Sequence, residues 1–185
     1  QNGNLGITSS NTPVKVGNLD ADFNLGWINH FTYKGIDLGV VLSARVGGLA
    51  YSATQGILDY YGVSEVSASV RDNGGTPINN GKVDAQKYYQ TISTGEGGYG
   101  RYYLYSATNV RLQELSLNYT LPRKWFKNVA NVTLGVVGRN LWMIYCKAPF
   151  DPELSASTSS NYYMNVDYFM QPSLRNFGFN VKVQF

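Results

Sequence analysis

A chain of 185 residues, 43% of them hydrophobic, is long enough to bury the core of one ordinary domain. Its formal charge of +3 is small and dispersed, without a Lys/Arg block dense enough to track phosphates, which argues against nucleic acid as a partner. One cysteine, Cys146, excludes an internal disulfide framework. No stretch approaches the roughly 18 uninterrupted apolar residues of a membrane-spanning helix, a test that alternating strands would escape.

Fifteen tyrosines and twenty glycines favour strands and tight turns over helix. Residues 1–20 are rich in Asn, Gly and Ser, carry Pro13 and read as loop. The opening Gln1-Asn2-Gly3-Asn4 resembles neither a signal peptide nor an initiator end and reads as the middle of a longer chain. From Phe23 an alternation begins, with Phe23, Leu25, Trp27, Phe31 and Tyr33 on one face. Lys34-Gly35 supplies a turn, and a longer run from Ile36 to Ala50 follows, with Asp37 and Arg45 on its polar side.

Residues 51–108 read as irregular, with Gly- and Asn-rich stretches at 72–75 and 95–100 and a short helix within Asp84–Thr91. Strand pattern returns over Val110–Leu121 and is stopped by Pro122, which cannot donate to a ladder. A strand from Val132 to about Trp142 follows, then a second irregular segment over Tyr145–Pro172. The last run is the cleanest: Phe177, Phe179, Val181, Val183 and Phe185 oppose Asn176, Gly178, Asn180, Lys182 and Gln184.

Strands of about 10–15 residues exceed the roughly 5–6 of globular sheets, and the connections alternate between short and long. Aromatics gather near the strand ends. The expectation is therefore an all-β fold: an antiparallel transmembrane β-barrel segment, with residues 51–108 and 143–172 as long extracellular loops and 33–35 and 122–130 on the periplasmic side. Five strands cannot close such a barrel, so further strands must complete it.

Several stretches resemble the carboxyl-terminal portion of the SusC/RagA family of TonB-dependent transporters. They are Val16–Leu42 (VGNLDADFNLGWINHFTYKGIDLGVVL), Leu112–Trp125 (LQELSLNYTLPRKW), Val137–Trp142 (VGRNLW), Phe150–Leu154 (FDPEL) and Ser173–Phe185 (SLRNFGFNVKVQF). Asp20-Ala21 departs from the Asn-Pro of many relatives. The resemblance implies the last five or so strands of a roughly 22-stranded barrel in the bacterial outer membrane, with the plug domain upstream. It also implies the remainder of the same transporter and outer-membrane lipid as surroundings, a SusD-like surface lipoprotein as lid, and the TonB complex as energy source through the amino-terminal part. Glycans or peptides would be the cargo, and no cofactor, metal or catalytic residue is expected.

The candidate contact residues are aromatic. Tyr60, Tyr61, Tyr88, Tyr89, Tyr99, Tyr102 and Tyr103 lie in one loop, and Tyr162, Tyr163, Tyr168 and Phe169 in the other. Flat rings with polar tips suit stacking on sugars or packing against a lid, as they suit packing within a loop. Phe185 matches the terminal aromatic that the barrel-assembly machinery reads in that family. Gly95–Gly100 fits G-x-G-x-x-G but lacks the flanking strand and helix a pyrophosphate needs. Asp151 and Glu153 are read as a solvated acidic pair more readily than a cation site, His30 as a lumen-facing or turn-proximal polar residue, and Cys146 as a buried or loop thiol. A soluble β-rich carbohydrate-binding module is the alternative reading. Enzymatic function is not expected, because no carboxylate pair, triad or metal cluster stands out.

Overall fold

The computed structural model describes Thr12 and residues 14–93, 100–154 and 165–185. In chain order the elements are β1 (Phe23–Tyr33), β2 (Ile36–Val46), β3 (Leu49–Ser52), α1 (Ala53–Tyr60), α2 (Glu65–Asp72), β4 (Thr76–Ile78), β5 (Gly81–Val83), α3 (Ala85–Ser93), β6 (Leu104–Ser106), β7 (Asn109–Thr120), β8 (Asn131–Cys146), β9 (Val166–Asp167) and β10 (Asn176–Gln184). Single 3-10 turns precede β6 (Gly100–Tyr103) and β8 (Arg123–Phe126). The chain divides into two compact units. One comprises Gln1–Leu19, Leu49–Ser106 and Glu153–Gln171; the other comprises Asp20–Gly48, Ala107–Pro152 and Pro172–Phe185.

The second unit is an antiparallel sheet in the order β1-β2-β7-β8-β10. Its strands fall where the alternation places them. The β1–β2 hairpin turns at Lys34 and Gly35, both with positive φ (46° and 84°), the two-residue geometry that matches strand twist. Gly47 and Gly48 then take φ of 80° and 81°, so β2 ends at Val46 and does not run on to Ala50. Period-2 patterning in register gives each face one character. The row Phe31–Leu38–Leu117–Val136–Phe179 crosses all five strands on the apolar face. The adjacent row on the other face is Thr32–Asp37–Asn118–Gly135–Asn180. A Cβ at Gly135 would lie 2.0 Å from Asn118 Oδ1 and 2.6 Å from Asn180 Nδ2, so only glycine lets those amides close over the strand. The apolar face is open, with Phe177 79% and Phe179 69% exposed.

The first unit is where the structure departs from the sequence reading. Residues 53–93 form three helices and a small hairpin. Ser52 caps α1 by accepting the Gln55 N–H at 3.1 Å, and Ser64 caps α2 by accepting the Ser67 N–H at 3.0 Å. The Asp84 carboxylate accepts the Lys87 N–H at the start of α3, which bears out the short helix expected there. Both α1 and α2 end in paired carbonyl closures. Gly62 N–H donates to Asp59 and Val63 N–H to Leu58; Gly74 and Gly75 do the same to Arg71 and Val70. A short sheet, β6-β3-β9, completes the unit, and its core is Ala85, Tyr89 and Ile92, with Val70 and Tyr88 packed against them.

The expected all-β, antiparallel transmembrane β-barrel segment is accordingly corrected. The fold is mixed α/β, and its sheets are open: β1 and β10 are the two edges of the large sheet and do not pair with each other. Five strands are too few to curl shut, and the segment read as an irregular extracellular loop is organised by helix caps. The descriptions outer membrane and β-barrel are not carried by this fold. No helix among the described residues is long and apolar enough to cross a membrane.

Candidate ligand-recognition site

The first unit gathers its tyrosines around one buried acid. Asp59, 2% exposed, sits in the last turn of α1. Its Oδ1 accepts from Ser64 Oγ at 2.5 Å and from Gln55 Nε2 at 2.9 Å, and its Oδ2 accepts from the Tyr103 hydroxyl at 3.1 Å. Three donors offset the cost of burying the carboxylate. Nearby, Ser52 Oγ donates to Asp167 Oδ2 at 2.8 Å and ties the start of α1 to β9.

That frame fixes the aromatic residues on which the sequence reading fell. Tyr103 is buried beside Gly56, where an added Cβ would meet its ring at an ordinary 3.7 Å. Tyr89 is buried in the α3 core, and Tyr88 is half-buried. Tyr88 and Tyr102 share a hydrogen bond. Burial is the main reason these phenols resist ionisation. It pushes Tyr89 up to about 12, aided by Tyr102, Asp59 and Tyr88. Tyr103 is raised further by burial and by Asp59, and Tyr102 and Tyr105 are raised by burial. Tyr89 and Tyr103 are buried, whereas Tyr102 is exposed and Tyr88 half-buried.

Tyr60 and Tyr61 are different. They end α1 edge-to-face, centroids 5.1 Å apart, and Tyr61 is 73% exposed. With Arg71 from α2 and Gln86 and Gln90 from α3, they border a cavity of about 280 Å³ whose floor includes Asp59 and Tyr89. The cavity offers aromatic faces beside neutral amides and one guanidinium, a combination that binds polar ligands carrying flat or aliphatic surface. Tyr168 and Phe169 are exposed near β9, and the Phe169 N–H donates to Thr54 Oγ1 at 2.7 Å. Tyr99, Tyr162 and Tyr163 lie outside the described residues. Phe185 follows β10 and is 93% exposed.

Sequence reasoning missed Asp59, Gln86 and Gln90. A signal existed: Ser52-x-x-Gln55 is a capping-box pattern, and Gly62 stands where such a helix would close. Asp151 is not half of an acidic pair. One oxygen accepts Arg111 Nη2 at 2.6 Å and the other accepts the Ser173 hydroxyl. His30 is an exposed residue on β1, lying over Gly39 of β2. Cys146 Sγ donates weakly to the Ala148 carbonyl at 3.4 Å.

No family model matches the chain. Over 190 aligned residues it is 27% identical to TonB-dependent receptor P3 of Formosa agariphila, covering 99% of this chain and 18% of that protein. Among solved structures it resembles the RagAB peptide transporter, with TM-score 0.58, 19% identity, and coverage of 89% of this chain and 17% of that one. It also resembles the RagAB peptide importer in the open-open state, with TM-score 0.57, 20% identity, and coverage of 83% and 16%. The chain thus spans under a fifth of the length of the relatives it matches. The likeness to the Formosa receptor is distant, and the likeness to the RagAB structures is one of fold.

Proposed function

We propose that this chain is the carboxyl-terminal part of a TonB-dependent importer of the SusC/RagA type, and that its helical unit meets the imported peptide or glycan. The observation that carries the reading is the cavity bordered by Tyr60, Tyr61, Arg71, Gln86 and Gln90, held on a hydrogen-bonded frame around Asp59. Exposed tyrosines beside the side-chain amides of Gln86 and Gln90 suit recognition of a ligand, and the role this reading assigns is capture and passage. A SusD-like lipoprotein is the partner this reading assigns, with TonB energising import through the amino-terminal part. The open apolar face of the large sheet, too extensive for a free surface, is covered in the assembled transporter.

Uptake by cells carrying the full-length protein tests this. Tyr61→Ala is expected to cut uptake of labelled peptide or oligosaccharide about tenfold at equal surface level, as loss of an anchoring aromatic does. Trp125→Ala, in the 3-10 turn before β8, is the control. Uptake insensitive to Tyr61→Ala overturns the assignment.

A second reading, a carbohydrate-binding module acting without a transporter, is favoured by the compactness of the helical unit, which has its own core and caps. Recovery of the native protein without detergent supports it, and extraction only with detergent supports the importer.

A further inference from the structure

The sheet unit holds a larger cavity, about 370 Å³, that is independent of the tyrosine site. Its floor is a built ionic cluster. Arg111, 4% exposed on β7, donates Nη2 to Asp151 at 2.6 Å and Nη1 to Ser173 Oγ at 3.0 Å, with Asn140 Oδ1 at 3.5 Å. Asn140 takes φ of 52°, and its Nδ2 donates to the Leu174 carbonyl, which fixes the residues leading into β10. The walls are apolar: Trp142 and Met143 on β8, and Phe150. Arg175 lines the same cavity, is exposed, and forms no ion pair among the described residues.

We propose that this cavity binds a monoanionic carboxylate with an apolar body. The charge count selects one negative group. Arg111 is already neutralised by Asp151, so it anchors the floor, whereas Arg175 offers a planar fork matched to a carboxylate. Trp142, 60% exposed, gives the body a ring to lie against. The volume, at the small end of ligand pockets, takes one side chain or a medium-length acyl chain and excludes anything the size of a folded domain. A terminal residue of a peptide and a fatty acid share this chemistry.

The full chain is titrated calorimetrically with N-acetyl-Leu-Phe as free acid, with its C-terminal amide, and with decanoate. The acid should bind at least about tenfold more tightly than the amide, and Arg175→Gln should remove that difference while Arg175→Lys keeps part of it. Trp142→Ala should weaken acid and amide alike. Arg175 and Trp142 are exposed, so the variants should fold, and unchanged circular dichroism confirms it. Decanoate binding comparably to the acid identifies the fatty acid as the source; weak decanoate binding identifies the peptide. Equal affinity of acid and amide, no binding of any probe, or binding untouched by Arg175→Gln overturns the proposal. The two cavities share no lining residue, and dependence on Arg175 and on the free carboxylate marks binding here, so failure here is distinct from failure at the tyrosine site.

Discussion

Tyr103 donates its phenolic hydrogen to Asp59 across 3.1 Å, and neither residue is more than 2% exposed. A hydrogen bond to a buried carboxylate stabilises by roughly 1.5–3 kcal/mol, so Tyr103→Phe should cost about that. Asp59→Ala strands the donors of Ser64, Gln55 and Tyr103 together and should cost more, roughly 3 kcal/mol or above. Urea denaturation checks both, as a lower midpoint with unchanged slope.

The same buried phenols make the helical unit sensitive to alkali. Because Tyr89 and Tyr103 ionise at higher pH folded than unfolded, they stabilise the fold fully below the unfolded tyrosine range near 10. That contribution is lost as pH rises through their folded values, about 12 for Tyr89. Raising pH through this window should unfold the unit as its buried tyrosines ionise. Tyr89→Phe should shift that unfolding upward, read by tyrosinate absorbance against circular dichroism.

Arg111 and Asp151, with side chains 5% and 7% exposed, form an ion pair whose halves depend on each other. Arg111→Met should destabilise by about 3–5 kcal/mol, because it leaves the acid buried alone. Combining it with Asp151→Leu should recover much of that loss. A double-mutant cycle by thermal unfolding measures the coupling.

Two glycines with left-handed backbone should respond differently to alanine. A Cβ at Gly47 would come within 2.2 Å of Asp22 Oδ2, whereas nothing lies within 4 Å of one at Gly62. Gly62→Ala should cost only the backbone strain, about 1–2 kcal/mol, and Gly47→Ala distinctly more. Chemical denaturation of the two variants side by side gives the comparison.

The large sheet was legible because its signal is local. Alternation from Phe23 to Tyr33 and from Phe177 to Val183 fixes which side each residue takes, and Lys34-Gly35 fixes the register of the first hairpin. The helical unit was not, because α1 and α2 are eight residues each and carry Gly56, Val66, Ser67 and Val70, poor helix formers. Their stability comes from caps and from contacts distant in sequence, such as Tyr103 with Asp59. The same distance hid the site. Tyrosines were visible as a class, but only the fold separates Tyr89 and Tyr103, which are buried, from Tyr60 and Tyr61, which are exposed at the cavity.

On the proposed function, the Tyr60–Tyr61 cavity holds ligand. Saturation-transfer NMR of the purified chain against a tryptic peptide pool and a pool of neutral oligosaccharides tests it directly. Members of at least one pool should bind, and titration of a bound member should show roughly tenfold weaker affinity in both Tyr61→Ala and Gln90→Ala. Binding from neither pool, or affinity unchanged in both variants, would contradict it.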